Sequence, residues 1–322
     1  MQQDKNLPAE AYDIVIIGGG PAGLTAGLYA ARGRMNALLV ESLTVVGQAT
    51  MTEIIENYPG IEKTTGLEFI NACKKQAASC GLKYRQGTVT EISRCDEGDM
   101  PVWRIRDDNG TCETLSVIIA SGARPRKLQV PGEEEFLGKG VSYCATCDAA
   151  FFRKKDIVVI GGGDAAVEEA LFLTRFGKKV TLIHRRNRLR AANILQERLL
   201  ANEKMAFVWD SVVEDIAGGD KVEKVRVRNL KTEDVTDIFC DGVFIFAGWE
   251  PNTDFLKGMV RLDEKGHIIT DDGMETSQKG VFAGGDCRSK KLHQIVTACG
   301  DGATAAFSAQ RYVEELKGTA YK

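Results

Sequence analysis

Two stretches of the chain share one pattern of apolar and polar positions. Asp13-Ile14-Val15-Ile16-Ile17 runs into Gly18-Gly19-Gly20, and Asp156-Ile157-Val158-Val159-Ile160 runs into Gly161-Gly162-Gly163. Each short β-rich run ends in glycines and is followed by an alanine-rich stretch of helical character. A further apolar run then comes at Ala37–Val40 and at Val180–Ile183. The pattern predicts strand, tight turn, helix and strand, twice over, which is two βαβ units. The uncharged run from Ile14 to Ala31 is long enough to cross a bilayer, but glycines and a proline break it near its start, so it reads as strand, turn and helix.

The turns carry candidate chemistry. The first reads Gly18-x-Gly20-Pro21-Ala22-Gly23 and the second Gly161-x-Gly163-Asp164-Ala165-Ala166. Small residues permit the turn and let a pyrophosphate approach the backbone, and the helix N-terminus presents free N–H groups to the anion. The ends of the second strands tell the two units apart. Glu41 ends the first, and an acid there hydrogen-bonds a ribose diol and repels a 2′-phosphate. His184-Arg185-Arg186-Asn187-Arg188-Leu189-Arg190 ends the second, and its guanidinium groups attract a 2′-phosphate. The first core is therefore expected to hold FAD, and the second to prefer NADPH over NADH.

A third segment belongs with the first core. Gly280–Asp286 reads as a strand that stops at glycines and an acid, and 294–316 reads as a helix. An acid such as Asp286 at a strand end can hydrogen-bond a polyol chain, and a helix N-terminus can stabilise charge on a reduced ring. If this segment closes the first core, the second is inserted within it, with crossings near Gly122 and Gly248. The expectation is an α/β fold of two Rossmann-like dinucleotide-binding domains. The FAD-binding domain takes 1–122 and 248–322, and the inserted NADPH-binding domain takes 123–247.

Composition narrows the class. The chain has 322 residues, enough for about two domains at roughly 100–200 residues each. A net charge of −3 gives no long-range attraction to nucleic acid or to an anionic membrane. Asp4, Glu10 and Asp13 precede and begin the first strand, where an export leader would be basic, so a cytoplasmic location is expected. The nine cysteines are odd in number and mostly scattered, which argues against a secreted disulfide framework. Cys73, Cys80, Cys95, Cys112, Cys240, Cys287 and Cys299 read as small buried hydrophobes.

Cys144-Ala145-Thr146-Cys147-Asp148 is different. Two thiols at this spacing can close a disulfide, one can attack a substrate disulfide, and the other can resolve the mixed disulfide. Asp148 adds a proton donor or acceptor beside them. A zinc half-site would need a second cysteine pair or nearby histidines, and the three histidines are dispersed, so no metal is expected.

Together these residues resemble the bacterial-type, low-molecular-weight thioredoxin reductases of the pyridine nucleotide-disulfide oxidoreductase family. The match runs over nearly the whole chain and includes 56–60 (Glu-Asn-Tyr-Pro-Gly), 120–123 (Ala-Ser-Gly-Ala), the Cys144–Asp148 motif, His184-Arg185-Arg186, Arg190-Ala191 and Gln294-Ile295. The resemblance implies a homodimer that passes electrons from NADPH to FAD, to the active-site disulfide, and then to thioredoxin. It implies that Cys147 faces the flavin, that Cys144 attacks thioredoxin and that Asp148 is the general acid. It also places Gln48, Asn57 and Val89 at FAD contacts. Three positions depart from the family: Ala149 where glycine is usual, Ala165 where serine is common, and His293 where arginine precedes Gln294. Alternatives in the same chemistry are reduction of another thiol carrier or use of another electron donor, and a flavin-dependent thiol oxidase is an alternative of a different class. A ferredoxin-fed relative or an oxidase is expected to lose the cationic cluster, which is intact here. A non-catalytic binding protein would not bleach a flavin with NADPH.

Overall fold

The computed structural model describes residues 10–42, 47–95 and 100–321. The chain forms two compact units, Met1–Arg124 with Glu250–Lys322, and Pro125–Trp249. The turns Gly122 and Gly248, with φ of +64° and +117°, lie just before these divisions.

The first unit begins with β1 (Glu10–Ile17), α1 (Pro21–Arg32) and β2 (Ala37–Glu41). Short α2 (Gln48–Met51), α3 (Gly66–Ser79) and β3 (Lys83–Gln86) follow, then β4 (Val89–Cys95), β5 (Val102–Asp107), β6 (Gly110–Ile119) and β7 (Ala123–Pro125). The second unit contains β8 (Val141–Ser142), α4 (Ala145–Asp148), β9 (Asp156–Gly161), α5 (Asp164–Leu173), β10 (Lys179–Ile183), α6 (Asn193–Leu200) and β11 (Met205–Val208). Strands β12 (Ser211–Gly218), β13 (Val222–Asn229), β14 (Val235–Phe239) and β15 (Gly242–Phe246) complete it. The chain returns through β16 (Trp249–Pro251) to β17 (Val281–Ala283) and α7 (Ile295–Leu316), with Gln294 as the N-cap rather than the first helical residue.

Both units contain the same five-strand parallel core. In the first, β3, β2, β1, β6 and β17 lie side by side, with β4 and β5 added antiparallel to the start of β6. In the second the order is β11-β10-β9-β15-β8, with β12, β13 and β14 forming a separate antiparallel sheet. In each core helices cover one face of the sheet and further chain covers the other. This is why the central strands are apolar throughout instead of alternating. Ile14 and Ile16 face the cluster that holds Leu24, Phe69 and Val313, while Val15 and Ile17 face Trp103, Leu256 and Val281. In the second unit Ile157 and Val159 pack with Val167 and Leu199, and Val158 and Ile160 pack with Ile216 and Val225. Each such fully buried side chain contributes roughly 1.5–3 kcal/mol.

Helices α1 and α7 approach closely through small residues. A Cβ on Gly302 would lie 2.1 Å from the Ala22 carbonyl oxygen, and one on Gly285 would lie 2.9 Å from the Ala22 Cβ. The same tightness governs the first turn. Gly18 has a φ of +114°, and a Cβ there would lie 2.2 Å from the Ala120 carbonyl oxygen at the end of β6. Gly18→Ala is expected to destabilise the protein by about 1–3 kcal/mol, checked as a fall in the urea midpoint at unchanged slope.

Candidate active site

In the first unit, the turn from β1 into α1 is held by the Gly18 N–H donating to the Val40 carbonyl at 2.8 Å. Gly20 is the N-cap of α1, Pro21 opens the helix, and no side chain caps its first-turn N–H groups. A Cβ on Gly20 would meet no heavy atom within 4 Å, so an anion can reach this backbone. Gly23 cannot carry a side chain, because its Cβ would sit 1.8 Å from the Gly18 carbonyl oxygen. Glu41 lies over the turn: a Cβ on Gly19 would be 2.3 Å from its Oε1. The Lys74 ammonium on α3 donates to Glu41 at 2.8 Å and keeps the carboxylate there.

The end of β17 enters the same unit. Asp286 has a buried Oδ1 with no hydrogen-bond partner, 3.5 Å from the Lys290 Nζ. An orphaned buried oxygen is costly unless something binds it, which fits a polyol hydroxyl. Sequence reasoning missed what fixes Asp286. Asp301, an acid on the buried stripe of α7, accepts from the Gly285 N–H, Arg288 and Lys290, each at 3.0 Å. A lone acid in an alanine-rich helical face was the available signal. Asn57 and Gln294, far apart in sequence, meet: Asn57 Nδ2 donates to Gln294 Oε1 at 3.0 Å. Ile295 is the first residue of α7. Gln48 instead donates to the Ala123 carbonyl at 3.0 Å, and Val89 packs against the second face of the sheet. His293 is exposed, with its ring 5.8 Å from that of His267.

The second unit repeats the turn with different chemistry. Gly161 has a φ of +153°, and its Cβ would lie 2.5 Å from the Phe246 oxygen and 2.6 Å from the Ala166 Cβ. Gly163 caps α5 and faces open space apart from the Arg190 guanidinium, 3.8 Å from a Cβ there. Asp164 accepts from the Ala192 N–H at 2.8 Å, and the Arg190 N–H donates to the Gly162 carbonyl at 2.7 Å, so the arginine-rich segment folds back over the turn. Ala165 sits in the first turn of α5 and offers no hydroxyl. His184 covers Gly162 as Glu41 covers Gly19: a Cβ on Gly162 would lie 2.4 Å from the imidazole. Arg185, Arg186, Arg188 and Arg190 are exposed and form no ion pair among the described residues. Four cations without counter-charge among the described residues can attract an external dianion. Burial, then the charges of Arg190, Arg185 and Arg186, push the His184 pKa down and favour the neutral imidazole.

Cys144 and Cys147 are joined in a disulfide, with Cα atoms 5.4 Å apart. Their loop is anchored on both sides. Ser142 Oγ accepts from the Cys144 N–H at 3.0 Å and donates to the Cys144 carbonyl at 3.2 Å. The Tyr143 hydroxyl donates to Glu133 at 2.5 Å, and Glu133, only 2% exposed, accepts from the Leu128 and Gln129 N–H groups at 2.8 and 2.7 Å. Burial, followed by this bond to Glu133, pushes the Tyr143 phenol pKa up and keeps it a donor. The Asp148 carboxylate makes no hydrogen bond or ion pair among the described residues, so it is available for proton transfer. Ala149 replaces the family's glycine without strain, because its φ and ψ of −53° and −32° are helical and its methyl group lies in the core. The other cysteines differ in setting: Cys112, Cys240, Cys287 and Cys299 are buried, while Cys73, Cys80 and Cys95 are half-buried. Burial pushes the Cys73 and Cys287 thiols up to about 11 and that of Cys240 to about 12, which makes them poor nucleophiles.

Among the described residues, no helix is long and apolar enough to cross a membrane. The profile of the pyridine nucleotide-disulphide oxidoreductase family matches residues 12–302. The chain belongs to this family. It is 45% identical over 310 residues to a thioredoxin reductase of Peptoclostridium acidaminophilum, covering 94% of this chain and 97% of the relative. It is 45% identical to that of Bacillus subtilis, covering 96% of each. The crystal structure of the Lactococcus lactis thioredoxin reductase superposes with a TM-score of 0.91 at 49% identity, covering 94% of this chain and 99% of that one. The family places the chain among flavin- and pyridine-nucleotide-using oxidoreductases, and the doubled Rossmann-like core and the Cys144–Cys147 disulfide agree with it.

Two outcomes follow for the second unit. Removing Arg185 and Arg186 together should raise the KM for NADPH at least about tenfold more than that for NADH, since charge-assisted bonds are worth roughly 1.5–3 kcal/mol each. Steady-state kinetics with both nucleotides checks this, and equal changes would count against a 2′-phosphate site. The depressed His184 pKa also sets a pH dependence. The unfolded chain takes up a proton near 6.5 while the folded one resists, so stability is full above that pH and declines as pH falls below it. Denaturant titrations should show a shallower acid loss for His184→Gln.

Proposed function

We propose that this protein uses NADPH to reduce the disulfide of thioredoxin, through bound FAD and the Cys144–Cys147 pair. The observation that carries the reading is the closed disulfide in the same unit as the nucleotide turn whose strand end carries His184 and arginines in place of an acid. Relatives called thioredoxin reductase, matched over nearly their full lengths, point to the substrate. The homodimeric state belongs to the same proposal and rests on the resemblance, and a cytoplasmic location is proposed with it.

The first unit fits FAD. Gly18, Gly20, Pro21, Ala22 and Gly23 leave an open backbone at a helix N-terminus, Glu41 stands where a ribose diol would lie, and the orphaned Asp286 oxygen suits the ribityl chain. Gln294 and Ile295 at the start of α7, with Asn57, Gln48 and Val89, would complete the surround. Gly161, Gly163, Asp164 and Ala165, with His184, Arg185, Arg186 and Arg190, would hold NADPH. When bound, the flavin exchanges a nicotinamide hydride for two electrons delivered to a disulfide.

The protein groups then carry out thiol–disulfide exchange. The Cys144 sulfur attacks one sulfur of the substrate disulfide, the substrate S–S bond breaks, and the departing thiolate takes a proton for which Asp148 is the available donor. Cys147 next attacks the mixed disulfide at Cys144. That closes the Cys144–Cys147 bond again and releases the substrate as a dithiol.

The test uses the purified holoenzyme, from which the extracted cofactor should be FAD. Cys144→Ser and Cys147→Ser should each lower NADPH-dependent thioredoxin reduction by at least about a thousandfold, the scale on which covalent catalysts depend on their nucleophile. NADPH should still bleach the flavin in both. Cys147→Ser should trap a mixed disulfide with thioredoxin, and Cys144→Ser should not. Near-normal turnover in either variant would refute the reading.

A further inference from the structure

The two sulfurs of the redox pair are not equivalent. The Thr146 Oγ1 lies 3.3 Å from the Cys144 Sγ, and the Cys147 backbone nitrogen lies 3.2 Å from the same sulfur. Either atom of a Thr–Cys contact could in general donate. Here the Cys144 sulfur is in a disulfide and has no hydrogen, so in this contact only the threonine hydroxyl can donate. Two donors therefore converge on Cys144, and no hydrogen bond reaches the Cys147 sulfur among the described residues.

The arrangement does little for the closed disulfide, because a neutral divalent sulfur is a weak acceptor. Its effect is large once that sulfur carries charge, since hydrogen bonds to an ionised acceptor are roughly twice as strong. The Cys147 amide is fixed by the chain. Thr146 is set by its place in α4, between the fully buried Ala145 and Cys147, on a loop already anchored at Ser142 and through Tyr143 and Glu133.

We propose that Thr146 is a catalytic residue whose hydroxyl stabilises the Cys144 thiolate, so that charge collects on Cys144 whenever the disulfide is open. When two electrons derived from NADPH break the Cys144–Cys147 bond, the bonding pair leaves on Cys144 as thiolate and the incoming pair resides on Cys147. The same stabilised thiolate is the nucleophile in exchange: its lone pair forms the new S–S bond, and the substrate bond breaks toward the other substrate sulfur. The CxxC spacing accounts for the disulfide, and Thr146 accounts for its polarity. This inference rests on the reading of Cys144–Cys147 as the redox pair.

The test isolates Cys144 in full-length flavoprotein by a Cys147→Ser background. The rate of iodoacetamide alkylation of Cys144, followed by mass of its peptide, is measured against pH with Thr146 kept, with Thr146→Val and with Thr146→Ser. Loss of the hydroxyl should raise the titration midpoint by about one pH unit, as expected for one bond to a charged group. At a fixed pH below both midpoints the rate should fall only about threefold, because a tenfold smaller thiolate fraction is partly offset by the greater nucleophilicity of a more basic sulfur. Serine retains the hydroxyl and should restore the midpoint, which a purely steric role for threonine would not do. If Thr146→Val lowers the thermal midpoint, Thr146→Ala takes its place. In the enzyme with both cysteines, the acid limb of the kcat/KM profile for thioredoxin should move by the same amount as the alkylation midpoint. Coincident profiles for threonine and valine, or a serine variant shifted as far as valine, would overturn the proposal. Those results would leave the redox assignment intact, since that assignment fails only if the cysteine variants of the enzyme still turn over.

Discussion

The structure depends on backbone contact at two strand-to-helix turns. At Gly18 the chain passes so close to the Ala120 carbonyl, and at Gly161 so close to the Phe246 carbonyl, that a methyl group would overlap an oxygen. This closeness brings each helix N-terminus to the end of its sheet. It also leaves the next small residue but one, Gly20 or Gly163, facing open space. A larger residue at the first position would push the helix away, and one at the second would fill the place of a pyrophosphate. The close helix packing of Gly302 on Ala22 and the position of the Gly284–Asp286 turn follow from the same demand for small residues.

On that shared frame, one residue position separates the two cores. Glu41 and His184 end equivalent strands and lie over the middle glycine of their turns. A carboxylate held by Lys74 makes the first position an acceptor that a phosphate would avoid. An imidazole whose pKa is pushed down, flanked by guanidinium groups that form no ion pair among the described residues, makes the second attractive to one. The fold supplies geometry to both, and the side chain at the strand end with its neighbours sets the charge that each turn presents.

The redox pair sits on a different kind of support. Its loop has a helix of only four residues, too short to hold itself in water. Rigidity comes from a buried carboxylate, Glu133, that collects two backbone amides and the Tyr143 hydroxyl. A carboxylate at that depth is tolerable because three donors satisfy it. The consequence is a fixed platform on which small differences in hydrogen bonding can give two chemically identical sulfurs different roles.

Much of this was legible in the sequence, for reasons that can be located. The doubled run of apolar residues ending in glycines specifies both βαβ cores, because strands covered on both faces must be apolar throughout and the turns admit only small residues. The identities of Glu41, of Arg185 and Arg186, and of Cys144 with Cys147 are chemical facts that need no coordinates. The tertiary structure decided what depends on residues distant along the chain. It brought Asn57 to Gln294, set Asp301 beneath Asp286, and buried Glu133 against Tyr143. It also gave Ala149 a helical backbone, which an alanine adopts without strain. Periodicity reports which face of an element is buried, whereas a polar side chain in that face acquires a role only from the partner that folding places opposite it.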